Sequence, residues 1–64
     1  MNFQKNLMYL RRRRRGMTQY DLAEKMGTTR NQISRWETGA RVPDLNDIIL
    51  LCLILEVTPN ELLC

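Results

Sequence analysis

Apolar residues recur along this chain at helical spacing in five separate stretches, and no stretch alternates with the period of two that a strand requires. Residues 4–14 read as a first helix, with Leu7, Met8 and one of Leu10 or Arg11 turned inward. Thr18 then serves as an N-cap, with Asp21 three residues on to answer it, before Leu22, Ala23 and Met26 mark a second buried stripe. Gly27 follows at once, where a helix can end in a left-handed residue without steric cost. Thr29 restarts the chain as another N-cap, with Gln32 in capping-box position, Ile33 and Trp36 as the apolar pair and Gly39 as the stop. A fourth helix covers about 45–55 behind Asp44. Thr58 caps a last turn over 59–63, with Pro59 at the permitted first position. Two short helices joined by a three- to four-residue turn over about 18–38 make a helix-turn-helix. Ala23 is the small residue that lets them approach.

Helix four has an excess of apolar residues. Leu45, Ile48, Cys52 and Leu55, flanked by Ile49 and Leu51, suffice for a core face. Leu50, Leu53 and Ile54 then lie toward the other side. A helix that is apolar all round is buried everywhere or docks on something, which makes this face a candidate seam for a second copy or a protein partner.

Charge sharpens the picture. Residues 1–43 hold all ten Lys and Arg against Asp21, Glu24 and Glu37, whereas residues 44–64 hold Asp44, Asp47, Glu56 and Glu61 with no basic residue. Such a split presents a cationic face to a polyanion and keeps an acidic face away from it. The expected partner is double-stranded DNA. The outward positions of the third helix carry Thr29, Arg30, Asn31, Gln32, Ser34 and Arg35. Arg pairs with guanine, Asn or Gln with adenine, and a Thr methyl meets the thymine methyl. Thr29, Arg30, Asn31, Gln32 and Arg35 are therefore the candidate base contacts.

Other chemistries find little support. Two cysteines and no histidine cannot complete a four-ligand zinc site, and neither a nucleophile–base pair nor a glycine-rich phosphate loop is present. An enzyme, a cofactor and a metal are not expected. The longest apolar run, Ile48 to Leu55, has eight residues, against the roughly 20 that a membrane helix needs. No segment reads as a signal peptide, so a cytoplasmic protein with no membrane partner is expected. Sixty-four residues suit one domain, near the lower size limit for folding alone.

The motif as a whole resembles the helix-turn-helix of the Cro and phage-repressor family, also called the xenobiotic-response-element family. The resemblance is carried by Ala23, Gly27, the apolar positions Leu22, Met26, Ile33 and Trp36, and the run Ser34-Arg35-Trp36-Glu37-Thr38-Gly39, and it extends over residues 4–63. Thr28 departs from the more apolar turn residue usual there. The resemblance implies an all-α, compact five-helix, lambda-repressor-like fold and a DNA-binding transcriptional regulator, a repressor more readily than an activator. It implies that Gln19 holds a DNA phosphate and that Arg41 lies along the backbone, with Thr38, the Gly39 amide and Arg12 as further phosphate candidates. It also implies an ion pair between an arginine four residues before the inter-helix glycine and the glutamate closing the recognition helix. Counting back from Gly16 gives Arg12, paired with Glu37.

One such motif reads only a few base pairs, so a homodimer on a palindromic operator is expected, with half-sites about 34 Å apart. The seam is either Leu50, Leu53 and Ile54 or the segment around Pro59 and Glu61. The alternatives are an antitoxin or protein-interaction module docking through helix four, and the head of a longer regulator.

Overall fold

The computed structural model describes residues 2–64 and contains five α-helices: α1 (Phe3–Arg13), α2 (Gln19–Met26), α3 (Arg30–Thr38), α4 (Leu45–Leu55) and α5 (Pro59–Leu63). No strand occurs among the described residues. The architecture is all-α, as the periodicity predicts, in the compact five-helix, lambda-repressor-like arrangement that the resemblance implies. α3 packs against both α1 and α2, α4 closes on α2, and α5 returns to α1 and α4.

The local signals act as the sequence dictates. The Thr18 hydroxyl accepts from the Asp21 amide while the Asp21 carboxylate accepts from the Thr18 amide, and the pairs Asp44/Asp47 and Thr58/Glu61 repeat this device at α4 and α5. At α3 only half of it forms: the Gln32 amide donates to the Thr29 hydroxyl, and no reciprocal bond from the Gln32 side chain is made. Gly27 sits in the left-handed region at φ 71°, and the amides of Gly27 and Thr28 donate to the carbonyls of Glu24 and Ala23. The same closure at α4 falls on Glu56, at φ 57°, which pairs with Arg14 at 2.7 Å. Arg14 also donates to the Leu55 carbonyl, which places a cation on the negative end of α4.

The core comprises Phe3, Leu7, Leu10, Leu22, Ala23, Ile33, Trp36, Leu51, Cys52, Leu55 and Leu62. In α1 the inward face runs through Phe3, Leu7, Leu10 and Arg11, at i, i+4, i+7 and i+8, so that Phe3 joins the core and Met8 is only half-buried. In α4 the inward face is rotated from the expected one. Leu51 is fully buried and Ile54 packs against the core, while Leu45 is 73% exposed. Leu45 follows its cap directly and stands in solvent on the first turn. Leu62 is fully buried, Leu63 lies at the core's edge, and the Asn6 amide donates to the Leu62 carbonyl to tie α5 to α1. Burial pushes the Cys52 thiol up from its ordinary value, with Glu61 adding to the effect, so it packs as a small hydrophobe.

Candidate nucleic-acid interface

α3 is fixed by its inner face and displays its outer one. Ile33, Trp36 and Glu37 are buried, so the opposite side carries Asn31, Arg35 and Thr38, at i, i+4 and i+7, all exposed. Thr29 and Arg30 are exposed at the helix start, whereas Gln32 and Ser34 are half-buried on the flanks. Thr38 donates its hydroxyl to the Arg35 carbonyl. The Arg41 amide also donates to the Arg35 carbonyl, which holds the loop after α3 against the end of that helix and keeps the exposed Arg41 side chain beside it. Gly39 turns the chain there at φ 84°, and a Cβ on it would stand 3.0 Å from the Gln4 amide nitrogen.

The ion pair that locks this helix is made by Arg11 and not by Arg12. Arg11 Nε donates to Glu37 Oε2 at 2.6 Å, Nη2 donates to Oε1 at 3.1 Å, and Nη1 donates to the Met17 carbonyl at 2.9 Å. The reason is helical phase. Arg11 follows Leu10 on the inward face of α1, whereas Arg12 is one residue and about 100° further round and stands in solvent. The α1–α2 connection, Arg14 to Thr18, brings the left-handed Gly16 five residues after the paired arginine instead of four. Arg12 makes no ion pair among the described residues and is free for another ligand.

Glu37 also organises the surface. Gln19 Nε2 donates to Glu37 Oε1 at 3.1 Å, and Gln19 Oε1 accepts from Arg30 Nη1 at 3.0 Å. The Arg30 guanidinium lies 5.5 Å from the centroid of the Tyr20 ring. A continuous chain of contacts thus runs from buried Arg11 through Glu37 and Gln19 to Arg30, joining α1, α2 and both ends of α3. Tyr20 is the member that sequence reasoning missed. Its only signal is an aromatic in the first turn of α2 at a position off the apolar stripe. Of the other arginines, Arg13 lies over Tyr9 and Arg15 is exposed.

The sequence matches the helix-turn-helix family model over residues 7–62. The chain belongs to that family. Its type is that of Cro and the phage repressors, as the resemblance implies. The chain is also 36% identical over 61 residues to an uncharacterised HTH-type transcriptional regulator, YqaE, of Bacillus subtilis (strain 168). That alignment covers 95% of this chain and 52% of the relative, so the chain spans about half the length of the regulator it matches. No solved structure matches it.

On α4, Leu50 (37%) and Leu53 (71%) are exposed as the expected seam requires, and Ile54 is not, since it packs against the core. Leu45 and Ile49 join Leu53 at i, i+4 and i+8 to complete an apolar stripe. No helix is long and apolar enough to cross a membrane among the described residues.

Proposed function

We propose that this chain is a sequence-specific, double-stranded-DNA-binding transcriptional regulator acting as a repressor. The observation that carries the reading is the line of exposed Asn31, Arg35 and Thr38 on a helix whose other side is anchored by Ile33, Trp36 and the Arg11–Glu37 pair. A helix held rigidly at both ends, with free amide and guanidinium groups on its outer face, suits the major groove. Asn31, Gln32 and Arg35 meet base edges, and the Thr29 methyl meets a thymine. Arg12, Arg41, Thr38 and the Gly39 amide hold the phosphates on either side and set the register. Gln19 has one amide N–H committed to Glu37, and its second is free for a phosphate oxygen. Membership of the family, and the description of the Bacillus relative as a transcriptional regulator, agree with this role.

A single helix of this kind reads too few base pairs for a unique address, so the regulator works as a two-fold dimer on a palindrome. The stripe Leu45, Ile49 and Leu53, with Leu50 beside it, is the seam. Its centre, from Ile48 to Leu55, carries no charged residue, so a second copy facing it there buries no charge. Selection of bound duplexes from a randomised library at low and moderate salt tests the proposal. Recovery of a palindromic motif, with affinity falling steeply in salt, is the expected result. Salt-sensitive binding without a motif would reduce the chain to a non-specific binder. Absence of binding at either salt would transfer the function to a protein partner on α4.

A further inference from the structure

Residue type alone sets Arg30 among the base readers, but its place in the fold gives it other work. It opens α3, and its side chain folds back onto α2, held on one side by the Gln19 side-chain oxygen Oε1 and on another by the Tyr20 ring. Those two anchors are consecutive residues, and Gln19 is itself fixed by buried Glu37. The guanidinium is therefore set against the α2 side of the motif, off the line that Asn31, Arg35 and Thr38 make on the outer face of α3. It lies on a shallow concave surface lined also by Arg12, Gly16, Thr18, Gln19 and Tyr20. No exposed carboxylate lines that surface, and Arg12 brings a second guanidinium to it that has no ion-pair partner among the described residues.

We infer that Arg30 and Arg12 clamp a single DNA backbone phosphate at the junction of α1, α2 and α3, with Tyr20 and Gln19 as the positioning residues for Arg30. The inference rests on the DNA-binding reading and names the part of the polyanion that this corner takes. A guanidinium has five N–H donors. With one of them committed to Gln19 and one face covered by Tyr20, Arg30 keeps its remaining edge for a phosphate oxygen. It is not aimed, in plane and with both ends free, at a guanine edge. Contacts of this type fix register and carry no base preference.

The test uses the whole chain and four proteins: wild type, Arg30→Ala, Tyr20→Leu and Tyr20→Phe. Affinity is measured across a salt series for the duplex selected from the library and for a scrambled duplex of equal length. Arg30 and Tyr20 are both exposed, so the variants retain wild-type helix content by circular dichroism. Arg30→Ala is expected to weaken both duplexes by the same factor, to flatten the log–log salt slope by about one, and to leave the selected motif unchanged. Tyr20→Leu weakens both by about two- to fivefold, the worth of an exposed cation–π contact, and Tyr20→Phe keeps wild-type affinity. Loss confined to the selected duplex in Arg30→Ala, with relaxed preference at one base pair, would overturn the clamp. So would wild-type binding by Tyr20→Leu. A wild-type protein that binds neither duplex would sink the DNA-binding reading itself, and the clamp with it.

Discussion

Replacing Arg11 by alanine is the perturbation with the largest predicted effect. The change leaves the Glu37 carboxylate, whose side chain is 1% exposed, with the Gln19 amide as its remaining partner. Loss of one member of a buried pair costs about 3–5 kcal/mol, because the survivor stays desolvated without its counter-charge. At roughly 0.05–0.15 kcal/mol per residue, a chain of this length has a total stability of about 3–10 kcal/mol. Arg11→Ala therefore removes between about a third and all of it. With about 4–8 °C per kcal/mol for a domain this small, Tm falls by at least about 12 °C. Arg12→Ala changes stability by less than about 0.5 kcal/mol, since that side chain is exposed and makes no ion pair among the described residues.

Thermal and urea unfolding followed by circular dichroism separate these outcomes. The double variant Arg11→Met with Glu37→Leu adds a control: it removes both charges, and it should recover at least about 2 kcal/mol of the single loss. Equal losses from Arg11→Ala and Arg12→Ala would refute the helical phase of α1. A loss below about 1 kcal/mol from Arg11→Ala would refute the view that the pair locks α3.

Ala23→Leu should destabilise by about 1–3 kcal/mol in urea titrations, because Ala23 is buried in the core on α2, which packs on α3, and a longer side chain there overpacks it. Gly27→Ala should cost about 1–2 kcal/mol in the same assay, from the left-handed backbone alone, since a Cβ there meets nothing within 4 Å. Hydrogen bonds from Thr18 lower the Asp21 pKa from 3.8, and those from Thr58 lower that of Glu61 from 4.5. Both groups bind protons more readily unfolded than folded, so their stabilisation is present above the unfolded values and is lost as pH falls through the folded ones. Urea midpoints below about pH 5 should thus depend less on pH in Asp21→Asn with Glu61→Gln than in the wild type. Leu53→Lys should convert a sedimenting dimer to monomer while leaving helix content unchanged.

The elements after α1 were legible because each is punctuated by its own chemistry. Thr18, Thr29, Asp44 and Thr58 start helices, and Gly27 and Gly39 stop them. The inner face of α3 followed from Ile33 and Trp36 alone. What failed was phase where punctuation is weak. Five consecutive arginines cover every direction around α1, so the inward one is fixed only by the apolar residues before it, and Phe3 with Leu7 and Leu10 sets Arg11 there. In α4 the run Ile48 to Leu55 is apolar on all sides and offers no polar marker from which to read the buried face; α2, α5 and Arg14 choose it. The contacts among Gln19, Tyr20 and Arg30 span two helices, and periodicity along a single helix cannot reveal them.

The central claim is that α3 reads sequence, and Arg35→Ala tests it most directly. The variant is passed through the same randomised-duplex selection as the wild type, and the two recovered motifs are compared. The predicted result is a motif that relaxes at one base pair per half-site, worth about 1–3 kcal/mol on the selected duplex, with binding to scrambled duplex nearly unchanged. An identical motif from both proteins, or equal weakening on every duplex, would contradict the account.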